Sequence, residues 1–460
     1  MAYKQAKELF VAHGTGSSIA NIHAVSSVGC TSYLVYAFLV GSRVLPDNPV
    51  TDYLVVFLPL LLAQTICAAH PYAFNAALVC LALLARLIPS RPTSRDPTPT
   101  TPPPPRHRAF LTTWRAHMMC MTVIAILAVD FPLFPRAFAK TEDYGTSLMD
   151  VGVGSFVLSQ GLASSASSRA PSLRRTVKQC LPVIALGMIR VIMVKGVDYP
   201  EHITEYGVHW NFFFTLAATP ILAALLAPVR TRLPIPLLIA LILLGTPRSP
   251  PPLHSAQRLT SRAAQTFALR TGLEQWVIQP ETTSRRSRGL AYQNKEGLVS
   301  LPGYFAIYLI GNAIGRCIVP TTQHPVKESV IVRTLVTYAA TSWLLLFLLR
   351  VLQIPVSRRL ANAPYAIWTA AFNATFLLGY YLIERHAFPA RATRKVPALL
   401  EWINMNGLVL FLVANLLTGA INVAMESMYA SDRVGFAVLV GYTAAVGVMA
   451  WGLRGRRIAL

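Results

Sequence analysis

The stretch AVDFPLFPRAFAKTEDYGTSLMD, residues 128–150, sets a carboxylate at the end of an apolar run of membrane length and an amine ten positions later. Between Asp130 and Lys140 lies FPLFPR, which cannot continue as regular helix. Pro132 and Pro135 lack an amide donor and restrict the residues before them. A stiff loop of this kind would let Lys140 fold back toward Asp130. Apolar surroundings make a carboxylate a stronger base, and a neighbouring ammonium favours its ionised form. A base beside a positive group suits acyl transfer: one takes a hydroxyl proton, the other stabilises the negative charge that develops. The plainer alternative is that Asp130 only marks the membrane interface.

A second polar loop, KGVDYPEHITEYGVHWNFFF at 195–214, carries Asp198, Glu201, His202, Glu205 and His209 among aromatics, Gly and Pro. The first loop adds Arg136, Glu142, Asp143 and Asp150. Loops that merely connect helices do not need this density, although a folded cap held by ion pairs would also produce it. Glu205, Asp150 and Arg136 are candidate catalytic or supporting residues. His209 is the rival base to Asp130, because an unperturbed imidazole titrates near neutrality.

Candidate substrate contacts are Arg190, Arg358, Arg359, Trp210 and Asn211. Arg190 lies inside LPVIALGMIRVIMVKG, and a charge within a span is costly enough to mark function by default. It is read either as a phosphate contact or as a side chain snorkelling to the interface. VSRRLANAPYAIW puts Arg358 and Arg359 on the side of the membrane where the charge asymmetry disfavours them, which points to an anionic substrate. Gly14 and Gly16 in HGTGSS are read as a flexible approach to the first span. Asn404, Asn406, Asn415 and Asn422 are assigned to interhelical hydrogen bonds. No HExxH, GxSxG or Walker-type loop occurs. Direct transfer is therefore preferred over a covalent acyl-enzyme, with no metal and no bound cofactor.

These residues must be positioned by membrane-spanning helices. Of 460 residues 54% are hydrophobic and only 13% charged, and the mean hydropathy is +0.48. The reading is all-α: a polytopic integral membrane protein, one domain over 1–460. Spanning runs fall near 23–41, 51–69, 71–89, 114–133, 147–165, 178–195, 209–227, 232–247, 298–316, 332–350, 363–383, 401–420 and 434–453, about thirteen transmembrane helices. A net charge of +22 raises nucleic-acid binding, but the basic residues are scattered over short loops and read as facing anionic lipid. The basic tail WGLRGRR places the C-terminus in the cytosol, and an odd number of spans then places the N-terminus on the lumenal side. On this assignment cytosolic loops hold roughly three times the Lys and Arg of short lumenal ones. The polar opening is not read as a cleavable signal. Residues 90–110 form a cytosolic Pro/Thr-rich linker and 248–297 a long lumenal loop. The six cysteines, all in or beside apolar runs, read as core residues rather than a disulfide framework.

Residues 125–157, AILAVDFPLFPRAFAKTEDYGTSLMDVGVGSFV, resemble a signature stretch of the GPI-anchor inositol acyltransferases, as does EHITEYGVHWNFFFTL. EGLVSLPGY, VSRRLANAPYAIW, NMNGLVLFLVANLLTG and the opening KELFVAHGTGSSIANIHAV are similar to that family too, best to its fungal members. The similarity covers nearly the whole chain and is weakest in 90–110 and 248–290. It implies an endoplasmic-reticulum membrane protein that moves a fatty acyl group, usually palmitoyl, from acyl-CoA to the inositol of glucosaminyl-phosphatidylinositol. It implies Asp130 and Lys140 as the catalytic pair, and a site that antifungal inhibitors of the family would contest. Where the family reads FPRRFAK this chain has FPRAFAK, so no role resting on a charge at Ala137 carries over. A lipid transporter or flippase is the alternative, weakened by the absence of an internal repeat. A non-catalytic scaffold of anchor assembly is the third reading.

Overall fold

The computed structural model describes residues 3–12, 14–40, 42–88, 108–166, 172–196, 203–246, 276–278, 289–320, 326–388 and 395–458. All regular structure among them is helical. Helix starts follow from local chemistry. Ser18, Ser147 and Asn362 each accept an amide hydrogen three residues on, at 3.1, 3.1 and 3.2 Å. These caps satisfy donors that the first helical turn leaves free.

Seven of the described helices are long and apolar enough to cross a membrane: Ile19–Leu39, Ala109–Ala128, Lys295–Ile318, Glu328–Val351, Ala363–His386, Gly407–Ala424 and Asp432–Gly452. Four shorter apolar helices are Pro49–Gln64, Pro71–Arg86, Phe212–Leu225 and Ile235–Gly245. The predicted runs at 147–165 and 178–195 appear as Leu148–Ser164 and Leu173–Gly196. The polytopic all-α reading therefore holds. The run predicted at 401–420 is broken, with Ala398–Met405 and Gly407–Ala424 meeting at Asn406. The Asn406 side chain donates to the Arg456 carbonyl at 2.9 Å and accepts from Ile458 N at 3.1 Å. It anchors the tail instead of bonding a neighbouring helix.

Inner and outer helices differ in surface. Ala363–His386 and Lys295–Ile318 are buried along most of their length, whereas Glu328–Val351 exposes Leu344, Phe347 and Leu348. Exposed apolar side chains of that kind face lipid. Between helices in lipid the attraction comes from close packing, so small residues matter. Gly161 lies against the Tyr308 carbonyl, Gly311 against the Leu158 carbonyl, and Gly315 against Leu162 and Ser165. A Cβ at any of the three would collide with backbone. The GNAIG spacing at 311–315 thus seats Lys295–Ile318 on Leu148–Ser164, and Asn312 Nδ2 bonds Ser164 Oγ at 2.9 Å across the same contact. All six cysteines are free.

The loops sort to two ends of the bundle. Lys7 meets Asp130, just beyond the C-terminal end of Ala109–Ala128, while Arg457 lies near Arg115, in its second turn. The described parts of the N- and C-terminal segments are therefore at opposite ends. Asp130's end also gathers 139–146, 203–211, 276–278, 355–362 and 422–431. Most of the linker at 90–110 and of the loop at 248–297 lies outside the described residues, as do Asp198, Glu201 and His202.

Candidate active site

Ala109–Ala128 ends in turns through Asp130 and Phe131, as the two prolines require. The loop is stiff for a reason beyond proline. Phe131, Phe134 and Phe138 are buried, with Phe134 edge-on to Phe138 at 5.9 Å. Arg136 donates to the carbonyls of Phe131 and Phe134, at 3.2 and 3.0 Å, and lies 4.3 Å over the Phe10 ring. Burial lowers the pKa of its guanidinium, and the nearby charge of Asp130 raises it again. Arg136 is a supporting residue that shapes the loop under Asp130.

Asp130 is only 5% exposed and has two donors. Lys7 Nζ is 3.2 Å from Oδ1, and Asn422 Nδ2 donates to Oδ2 at 2.8 Å. A carboxylate can accept about four hydrogen bonds, so these two leave acceptor capacity on Asp130. Lys140 does not fold back onto Asp130, contrary to the sequence expectation. Its ammonium donates to both oxygens of Glu205, at 2.8 and 3.0 Å. The ammonium that meets Asp130 comes from the N-terminal helix Tyr3–Val11 instead.

Lys140 begins a second constellation. Arg358 NH1 reaches Glu205 at 3.1 Å, and its Nε reaches Asp150 at 2.7 Å. Asp150 is fully buried, and its other oxygen accepts from Thr141 Oγ1 at 2.7 Å and from Thr141 N at 3.2 Å. Two acids and two bases thus alternate as Lys140, Glu205, Arg358 and Asp150. Burial by itself would raise the pKa of Glu205, but Lys140 and Arg358, with a smaller contribution from Arg190, hold it down at about 2. Burial disfavours the Arg358 charge, yet Glu205 and Asp150 carry its pKa well above the ordinary value. Tyr206 and Tyr304 close over the network, and the Tyr365 hydroxyl donates to the Asp150 carbonyl at 2.8 Å. Burial pushes the Tyr206 phenol far up, so it stays protonated. Lys140 is the accessible end: its side chain is 40% exposed, against 3% for Arg358.

Neighbouring segments lock both constellations in place. Ser17 N donates to the Thr146 carbonyl at 2.6 Å, and Thr146 Oγ1 donates back to Ser17 O at 2.7 Å. Gly14 lies against the Lys140 carbonyl, and Gly16 has φ +78° where a Cβ would strike Thr146. The glycines of HGTGSS are therefore needed for close approach of two backbones, not for looseness. Gly145 N bonds Val356 O at 2.9 Å, and Ser357 Oγ bonds Asp143 O at 2.6 Å.

A family model described as GWT1 matches residues 3–453. The chain belongs to the GWT1 family. Among its relatives are proteins named GPI-anchored wall transfer protein 1. That of Aspergillus fumigatus is 36% identical, the match covering 96% of both chains. That of Candida albicans is also 36% identical, with 99% of this chain and 98% of the relative covered. That of Cryptococcus neoformans var. neoformans is 42% identical over 76% of this chain, but only 63% of the relative's length is matched.

Within this GWT1-family chain the structure redistributes the residues singled out by sequence. Arg358 and Arg359 are not free to bind an anion. Arg358 is neutralised by Asp150 and Glu205, and Arg359 meets Asp143 at 2.7 Å, Glu296 at 3.0 Å and the Val277 carbonyl at 3.0 Å. Their presence in this loop is explained by these carboxylates, of which Asp150 and Glu296 are fully buried. Asn211 caps Phe212–Leu225 and donates to the Gly187 carbonyl at 3.0 Å. The Trp210 indole covers Gly297 and donates to Thr215 Oγ1 at 2.9 Å. The polar groups of both thus serve the fold rather than a ligand. His209 Nε2 lies 3.0 Å from Gln293 Oε1, and Asn294 Oδ1 accepts from its backbone at 2.8 Å, so His209 pins the second loop to the residues just before Lys295–Ile318. Arg190 is exposed and close enough to Glu205 to lower its pKa. Sequence reasoning missed Lys7 and did not connect Asn422 with Asp130. Only polarity in an apolar helix marked Asn422, and Lys7 was marked only as the first residue of the family-like stretch KELFVAHG.

Proposed function

We propose that the protein is an O-acyltransferase of GPI-anchor biosynthesis, resident in the endoplasmic-reticulum membrane with its N-terminus lumenal and its C-terminus cytosolic. It takes a fatty acyl group, palmitoyl by family resemblance, from acyl-CoA and places it on the inositol of glucosaminyl-phosphatidylinositol. The observation that carries this reading is Asp130: a buried carboxylate at the end of a spanning helix, fixed by an ammonium and an amide, with acceptor capacity left over. The names of the relatives point to GPI-anchored products, and Arg190 remains an exposed cation for an anionic headgroup.

In the proposed step an inositol hydroxyl gives its proton to Asp130 as its oxygen attacks the thioester carbonyl. The C–O bond forms, the tetrahedral oxyanion collapses, and the C–S bond breaks. The proton passes from Asp130 to the departing thiolate, giving free CoA. Lys140, held from behind by Glu205 and exposed in front, stabilises the oxyanion or the thiolate. Arg190 is a further cation that acts on Glu205 from an exposed position, and it is assigned to the lipid phosphate.

Purified protein supplied with palmitoyl-CoA and glucosaminyl-phosphatidylinositol should release one CoA thiol per acylated glycolipid. A transporter or flippase makes no acylated product. A scaffold keeps its cellular role when Asp130 is changed to Asn, whereas the enzyme loses it.

A further inference from the structure

Lys7 belongs to a short amphipathic helix whose Tyr3, Lys7 and Phe10 touch the rest of the molecule around Asp130. The Tyr3 ring lies 5.9 Å from the Tyr429 ring, Phe10 lies under Arg136, and Lys7 sits between them. The ammonium is almost inaccessible, at 9% residue exposure, and a buried cation is stable only when it is paired and hydrogen-bonded. Its bonds close a ring. Lys7 Nζ is 3.2 Å from Asp130 Oδ1 and donates to Asn422 Oδ1 at 2.9 Å, while Asn422 Nδ2 donates to Asp130 Oδ2 at 2.8 Å.

The ring fixes its own polarity. An ammonium only donates, so it must meet the amide oxygen of Asn422, and that turns the amide nitrogen toward the carboxylate. Ser427 Oγ donates to the same amide oxygen at 3.0 Å, which reinforces the choice. Without Lys7, one carboxylate oxygen loses its partner and the amide loses one of two reasons to point correctly. A passive ion pair would not require the third member, nor a helix clamped on either side of it.

We infer that Lys7 is the positioning residue of Asp130, delivered by the N-terminal helix, and that it takes the place beside the carboxylate that the sequence led us to expect of Lys140. This inference rests on the proposed acyl transfer. The test compares Lys7→Met, Lys7→Arg, Asp130→Asn and the Lys7→Met/Asp130→Asn double variant. All are purified as monodisperse full-length protein, with kcat and KM measured for palmitoyl-CoA and for glucosaminyl-phosphatidylinositol.

Lys7→Met should lower kcat about 10- to 100-fold, the scale of a misplaced catalytic group, with both KM values within about twofold. Lys7→Arg, which keeps the charge, should recover much of that loss. In the Asp130→Asn background Lys7→Met should cost nothing further, because the group it positions is gone. An active wild type with kcat unchanged in Lys7→Met overturns the role of Lys7 alone. So does a loss that is equally large with and without Asp130, or one that Arg does not relieve although the variant melts like wild type. A wild type that forms no acylated glycolipid overturns the functional reading itself, and with it the role of Lys7. If Lys7→Met does not fold, Lys7→Arg and Asn422→Ala carry the test. Asn422→Ala should then lower kcat selectively, and an unchanged kcat in it would count against the ring.

Discussion

Lys140 Nζ lies 2.8 Å from Oε1 of Glu205, sixty-five residues along the chain, and Glu205 is in turn held by Arg358 at 3.1 Å. The accessible ammonium of the first loop is therefore steered by the second loop, and Asp130 is left to a different cation. Two short charge networks, each close to neutral, replace the single Asp130–Lys140 pair that the spacing led us to expect. Each can be perturbed separately.

The pH dependence of stability follows from Glu205. Its carboxyl is near 4.5 when unpaired and about 2 in the fold, a depressed value. A depressed acid stabilises the fold above its unfolded pKa and loses that contribution as pH falls through the folded one. Glu205→Gln should thus lower the melting temperature in detergent at pH 5–7, and the gap to wild type should narrow between about pH 4.5 and 2. A gap that stays constant over that range would show that Glu205 is not held by Lys140 and Arg358.

Asp130→Asn keeps the size of the side chain and removes the base. Turnover should fall on the order of 10²–10⁴-fold with the fold retained. Lys140→Ala should also slow turnover. Since the two residues have different partners, the Asp130→Asn/Lys140→Ala variant should fall well below either single variant. A double variant no worse than the worse single one would return them to one unit. Turnover is read as acylated glycolipid per mole of purified enzyme.

The arginines should separate by assay. Arg358→Met leaves Asp150 without a cation and Glu205 with Lys140 alone, and removing one partner of a buried pair costs roughly 3–5 kcal/mol. It should lower the melting temperature sharply, beyond the effect of Arg190→Gln. Arg190→Gln should leave melting almost unchanged and raise KM for the glycolipid about tenfold or more, as loss of a charge-assisted phosphate contact of roughly 1.5–3 kcal/mol implies. An unchanged KM would leave Arg190 as a snorkelling residue.

Topology is testable at the two ends of the bundle. A cysteine at Asp143, whose side chain is 41% exposed, should resist a membrane-impermeant thiol reagent in sealed microsomes and react after permeabilisation. A cysteine at Arg456, in the exposed tail, should react in both. The reverse pattern would invert the proposed orientation.

Much of the bundle was legible because apolar runs of membrane length have few alternatives, and each predicted run coincides at least in part with a helix. The break at Asn406 was not, because its cause is the tail some fifty residues away, at Arg456 and Ile458. At the site, the separate residues stood out while their pairing did not. Asp150 finds Arg358 across 208 positions and Asn422 finds Asp130 across 292, distances over which only the three-dimensional arrangement selects a partner. Lys7, though it opens the family-like stretch KELFVAHG, gave no sign of a partner, since a lysine on a short polar helix is ordinarily solvated. The GNAIG packing motif was equally easy to pass over, because its meaning depends on Gly161 in another helix.

The bond between Arg358 and Asp150 also bears on the order in which the protein is made. Asp150 enters the membrane region with its helix long before its guanidinium partner exists. At roughly 5–20 residues per second, the 208 intervening residues take on the order of ten to forty seconds to synthesise. During that interval the carboxylate has only Thr141 and water to hold it, and Leu148–Ser164 lacks the glycine face of Lys295–Ile318. The contacts that Asp150 and Gly161 make with Arg358 and Tyr308 in the finished bundle can therefore form only after the later helices emerge.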